Sequence, residues 1–103
     1  MIRVEIKKKN NIYNEISVKG HAMYDDYGKD IVCSAVSSII TTSINCILAL
    51  DKDGLKYKAN SGDVVISNIK NDEKIIKLLD VMIKMLTELK NDYPLNIEIS
   101  KED

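Results

Sequence analysis

The stretch from Ile31 to Leu50, IVCSAVSSIITTSINCILAL, constrains the fold more than any other. Val32, Val36, Ile39, Ile40, Ile44, Ile47 and Leu48 recur at helical spacing, interleaved with Ser37, Ser38, Thr41, Thr42 and Ser43. A helix with so little charged surface is expected to be largely buried. Its small hydroxyl residues let other backbone approach closely, although serine and threonine also lower helix propensity. Such a helix needs a cover, and the sequence on either side supplies strands.

Ile2, Val4 and Ile6 alternate with Arg3, Glu5 and Lys7, and after the turn signal KKNN a second period-two segment runs from about Ile12 to Val18. This pattern predicts a hairpin with one apolar face. Leu55, Tyr57 and Ala59 alternate with Lys56, Lys58 and Asn60, and the turn residues 60–63 lead into Val64, Val65, Ile66 and Ser67 as a second hairpin. Asn71 or Asp72 is placed to cap a second helix reaching about Lys90, whose stripe of Ile75, Leu79, Met82, Leu86 and Leu89 opposes Lys74, Lys77, Lys84 and Glu88. Beyond Pro94, Leu95, Ile97 and Ile99 alternate with polar residues as a final strand. The order ββαββαβ predicts an α+β fold with two helices packed on a mostly antiparallel sheet, the strand order being unreadable. A chain of 103 residues, 45% hydrophobic and 30% charged, suits a single domain over residues 1–103.

Fifteen basic against sixteen acidic side chains leave a formal charge of −1, without the positive field that gathers phosphates, so no nucleic-acid partner is expected. Lys7, Lys8 and Lys9 form a solvated turn on this reading. No segment approaches the roughly 20 apolar residues needed to cross a bilayer, and Arg3, Glu5 and Lys7 interrupt any signal-peptide core. A cytoplasmic protein without a membrane partner is expected. On one helix, Cys33 and Cys46 would lie about 20 Å apart, too far to pair or to share a metal. With a single histidine, no metal or other cofactor is expected. Gly20, Gly28, Gly54 and Gly62 stand at element boundaries, as turns require.

The segment KGHAMYDDYGKDIVCSA holds the only histidine, His21, together with Cys33. Cysteine hydrolases need a thiolate to attack an acyl carbon and a base to take and return the proton. His21 follows the predicted end of the second strand. Asp30 at the N-cap puts Cys33 at the third helical position, where unpaired N–H groups and the helix dipole favour an anion, the more so beside an imidazolium. Backbone N–H groups of Cys33 and Ser34 are candidate donors to an oxyanion. Asp25 and Asp26 read as solvated loop residues, and Asp30 as a cap with electrostatic influence. From spacing alone two descriptions stand: a catalytic pair, or a buried cysteine and a strand-end histidine with no joint role.

Gly20-His21-Ala22, then Gly28, then Asp30-Ile31-Val32-Cys33, with Ser37 one turn beyond the cysteine, resemble the motifs of the ribosomal-processing cysteine proteases. Length and element order extend the resemblance over essentially the whole chain. It implies Cys33 as nucleophile, His21 as general base and Asp30 as the neighbouring acidic residue, with Ser37 on the helix face of Cys33. It further implies an endopeptidase that removes a short N-terminal extension from a large-subunit ribosomal protein, number twenty-seven, cutting after an aromatic residue. A homodimer is implied as well. So is a moving loop, Met23 to Lys29, in which Tyr24 and Tyr27 offer apolar contact and Gly28 a pivot. MYDDY and Ser34 depart from the commoner pattern but leave the pair intact. A reading from another class is a noncatalytic module that binds a ribosomal component or assembly factor through that loop.

Overall fold

The computed structural model describes residues 1–26 and 30–103. Its elements are β1 (Ile2–Lys9), β2 (Ile12–Lys19), α1 (Ile31–Leu50), β3 (Lys56–Asn60), β4 (Asp63–Ser67), α2 (Glu73–Asp92) and β5 (Ile97–Glu102). The order is the expected ββαββαβ. One five-stranded sheet runs β3-β4-β2-β1-β5. Its pairings are antiparallel except for β5, which lies parallel to β1 with Ile97 opposite Ile2 and Ile99 opposite Val4.

Alternation decides which sheet face meets the helices. Ile2, Val4, Ile6, Ile16, Val18, Ile66 and Ile97 share one core with Val32, Val36, Ile40, Ile44 and Ile47 of α1 and with Ile75, Leu79, Met82, Ile83 and Leu86 of α2. Arg3, Lys7, Lys19 and Glu98 stand on the opposite, solvated face. Two left-handed asparagines, Asn10 (φ 53°) and Asn11 (φ 62°), make the tight turn between β1 and β2.

Several local expectations need correction. The period-two reading of β2 breaks at a bulge: Lys7 pairs with Glu15 but Lys8 with Tyr13, leaving Asn14 over. The extra residue turns Tyr13 onto the core side, where its hydroxyl donates to Asp80 of α2. Burial first, and then that carboxylate, push the Tyr13 phenol well above its ordinary pKa. The last strand begins at Ile97 rather than Leu95, because residues 94–96 turn and Asn96 N–H donates to the Tyr93 carbonyl at 3.0 Å. Leu95 is left 86% exposed. Of the two cap candidates for α2, Asp72 is the one that caps it, as expected.

The largest correction concerns α1, which is buried on one face only. Ser34, Ser37, Ser38, Thr41, Thr42, Asn45 and Cys46 are exposed. A helix resting on one side of a sheet keeps a solvent face, and this one is built from hydroxyls and an amide rather than charges. Ser43 Oγ and Asn45 Nδ2 fold back onto carbonyls one turn earlier, at 2.7 and 2.9 Å. The expectation that no segment approaches a bilayer span is corrected too. At 20 residues and a mean hydropathy of 1.9 over its most apolar window, α1 is long and apolar enough by length and composition. Serine and threonine interrupt an apolar run without adding charge. In the fold the apolar face of α1 is taken up by the core.

Candidate active site

The site begins where β2 ends. Gly20 sits at φ +93°, and a Cβ there would come within 2.5 Å of the Met1 carbonyl oxygen, so only glycine fits. Its N–H donates to the Gly62 carbonyl at 2.9 Å, tying the exit of β2 to the tip of the β3–β4 hairpin. The chain is thereby aimed so that the imidazole of His21 rests against Gly62. A Cβ on Gly62, itself at φ +82°, would come 3.0 Å from Nε2.

The next residues are held by groups distant in sequence. Ala22 is buried. Its N–H donates to Cys33 Sγ at 3.2 Å, and its carbonyl accepts from Asn96 Nδ2 at 2.9 Å. Tyr24 N–H and Asp25 N–H both donate to Asp30 Oδ2, at 2.9 and 3.3 Å. The Tyr24 ring meets Tyr93 edge to face, with centroids 5.3 Å apart.

Asp30 is the N-cap of α1. Its Oδ1 accepts from the N–H groups of Val32 and Cys33, both at 3.0 Å. Burial alone would raise its pKa, but the N–H bonds from Cys33, Tyr24, Asp25 and Val32 outweigh that and hold the carboxyl below its ordinary value. With both oxygens engaged by backbone, Asp30 joins the 22–26 segment to the helix start and makes no bond to His21 among the described residues.

The cap places Cys33 at the third position of α1, half-buried, with its sulfur accepting a backbone N–H. The sulfur thus meets the start of α1 and the Ala22 N–H together. Cys33 and His21 line one groove of about 820 Å³ between α1 and the β3–β4 hairpin. Val18, Val36, Ile40 and Val64 are among its apolar lining, and Ser34, Ser37 and Thr41 among its polar lining, which also includes the carboxylates of Asp25, Asp30 and Asp63. Among the described residues no hydrogen bond joins the thiol to the imidazole.

The structure therefore brings His21, Cys33, Gly20, Ala22 and Asp30 together, and puts Ser34 and Ser37 on the groove wall. The Ser37 hydroxyl makes no hydrogen bond to a described residue. Backbone N–H groups of Cys33 and Ser34 are not free oxyanion donors: the first is held by Asp30 Oδ1, and the second donates to the Asp30 carbonyl at 3.1 Å. Asp25 and Asp26 are exposed, as loop residues, with Asp26 N–H on Asp25 Oδ1 at 2.7 Å. Tyr27 and Gly28, expected as substrate contact and pivot, lie outside the described residues together with Lys29. Sequence reasoning missed Asn96 and took Gly62 only as a turn glycine. No local pattern marks either one, since each meets the site from a distant segment.

The whole chain is similar to proteins already known. The family described as cysteine protease Prp matches residues 1–98. A ribosomal processing cysteine protease Prp of Staphylococcus aureus is 28% identical over 89 residues, covering 84% of either chain. Its counterpart from Mycoplasma genitalium is 28% identical over 104 residues, covering 99% of this chain and 97% of the relative. The crystal structure of the S. aureus protease with a covalently linked product peptide superposes with a TM-score of 0.91 at 26% identity, covering 98% of this chain and 99% of the other. The same protease with a substrate peptide gives a TM-score of 0.86 at 25% identity over the same shares.

Proposed function

The chain belongs to the cysteine protease Prp family, and from that membership we propose that Cys33 is its nucleophile and His21 its general base. The proposed reaction is endoproteolytic removal of an N-terminal extension from a large-subunit ribosomal protein, number twenty-seven, with the cut after an aromatic residue. The observation that carries this reading is the groove: it holds the one histidine and a cysteine at a helix N-terminus, and its apolar lining suits an extended peptide with a large side chain. One relative of the same fold, the S. aureus protease, bound to a substrate peptide in one structure and to a covalently linked product peptide in another, supports a covalent route.

On this reading the imidazole takes the thiol proton and the thiolate attacks the peptide carbonyl carbon. Collapse of the tetrahedral intermediate breaks the C–N bond, and the imidazolium gives its proton to the departing amine. Water, deprotonated by the same imidazole, then hydrolyses the thioester, releasing the carboxylate and restoring the thiol.

The proposal extends to a homodimer and to the cytosol. The uncharged part of α1 that faces away from the groove, Ser38, Thr42 and Cys46 with Leu50 at 56% exposure, supports a self-association surface. A reaction that needs the Cys33 thiol free fits a reducing compartment.

Mass spectrometry of the unprocessed ribosomal protein after incubation with this enzyme tests the activity. One new N-terminus following an aromatic residue is expected, with Cys46→Ser active and both Cys33→Ala and His21→Ala inactive. Cleavage by Cys33→Ala at the wild-type rate would refute the assignment.

A further inference from the structure

Taking Cys33 as the nucleophile, as proposed above, we infer that Asn96 is a positioning residue for its thiolate, acting through Ala22. Asn96 lies in the turn between α2 and β5, far from the motif in sequence. Its backbone is committed to the fold: its N–H donates to the Tyr93 carbonyl at 3.0 Å, and its carbonyl accepts from Ile2 N–H at 2.9 Å. The side chain is left for another task. Its Nδ2 donates to the Ala22 carbonyl at 2.9 Å, and because that carbonyl can only accept, it is the amino end of the amide that faces it.

Ala22 thus stands between Asn96 and the thiol, its carbonyl held on one side and its N–H directed to Cys33 Sγ on the other. The neighbouring backbone is not relaxed. Met23, directly after, has φ +57°, a conformation that a non-glycine residue keeps only when its surroundings impose it. Anchoring the Ala22 carbonyl opposes relaxation of that turn and keeps the N–H on the sulfur. Among the described residues this N–H is the one hydrogen-bond donor to Sγ, so losing its aim leaves the thiolate with the helix terminus alone. His21 is bonded directly to Ala22, so the same anchor limits the drift of the imidazole. Tyr93, three residues before Asn96, adds a second tie through the ring of Tyr24.

The test is the rate of Cys33 alkylation by iodoacetamide as a function of pH, on a Cys46→Ser background so that one thiol reports. Asn96→Ala and the near-isosteric Asn96→Asp, which cannot donate at neutral pH, are expected to move the inflection to higher pH. They should lower kcat roughly tenfold while KM changes less than about twofold, as expected for losing one donor to a charged group. Should Asn96→Ala fail to fold, Asn96→Ser, too short to reach Ala22, provides the same readout. A purely structural stitch would lower the melting temperature and leave the alkylation profile of the folded protein in place, and that result overturns the inference. The nucleophile assignment fails separately, if Cys33→Ala still cleaves.

Discussion

Helices α1 and α2 are each 20 residues long, each is capped by an aspartate, and they pack against one another, yet their exposed faces differ in kind. On α2, Lys74, Lys77, Lys84 and Glu88 turn to water beside exposed Val81 and Met85, and Lys77 pairs with Glu73 one turn earlier at 3.5 Å. On α1 the exposed side chains are serines, threonines, an asparagine and a cysteine, with Ile31, Ala49 and Leu50 at the two ends and no charge among them. The caps differ as well. Asp72 accepts only from Lys74 and Ile75 of its own helix, whereas Asp30 accepts from its helix and also from the loop that carries Tyr24 and Asp25. The comparison separates a helix whose work ends with the core from one whose N-terminus and outer face are shaped for a site. Ser34, Ser37 and Thr41 of α1 line the groove without charge, and its carboxylates, Asp25, Asp30 and Asp63, come from the segments around the helix.

That contrast can be broken most directly at the largest effects. Cys33→Ala on α1 is expected to abolish cleavage, a loss of about 10⁴-fold or more by analogy with other nucleophile deletions, with the denaturation midpoint nearly unchanged. Leu79→Ala on α2 should do the reverse. Leu79 is fully buried, and its truncation is expected to cost about 3 kcal/mol in a urea titration, while the alkylation profile of Cys33 in the folded protein stays in place.

The two caps give a finer division. Asp72→Ala should cost about 1 kcal/mol and leave cleavage intact, whereas Asp30→Ala should cost about 2 kcal/mol, because loop and helix both lose an acceptor, and should slow cleavage as well. The Asp30 carboxyl titrates lower in the folded protein than in the unfolded chain. Its contribution is therefore complete above the unfolded value near about 3.9 and is lost as pH falls through the folded value. The stability difference between wild type and Asp30→Asn should accordingly shrink as urea titrations are carried below about pH 4.

The smallest expected effect lies on the outer faces. Thr42→Glu on α1 should change folding stability by no more than about 0.5 kcal/mol but shift sedimentation toward the monomer, if that face joins two copies. The same substitution at Lys84 on α2 should leave sedimentation unchanged.

Much of the fold was legible because its signals are local. Alternation in Ile2–Val4–Ile6, the NN turn, the aspartates before each helix and the apolar stripe of α2 each involve residues a few positions apart. The bulge at Asn14 was not legible, since a one-residue shift in pairing depends on the partner strand rather than on either strand alone. Burial of α1 was over-read for a related reason: composition reports how apolar a helix is, not how many of its sides other elements will cover. At the site, Asp30 as cap and Cys33 at the helix start followed from sequence. The loss of the Cys33 and Ser34 N–H groups as free donors followed only from the bonds Asp30 makes.

By itself, then, the sequence determined the order of the elements, the Asp30 cap and the place of Cys33 at a helix terminus, because backbone periodicity and short-range hydrogen bonds are settled within a turn or a hairpin. Only the tertiary structure decided that β5 runs parallel beside β1, that Gly62 lies under the His21 ring and that Asn96 reaches Ala22. These contacts join segments that become neighbours once a shared apolar core forms, and which segments those are is a property of the packed whole.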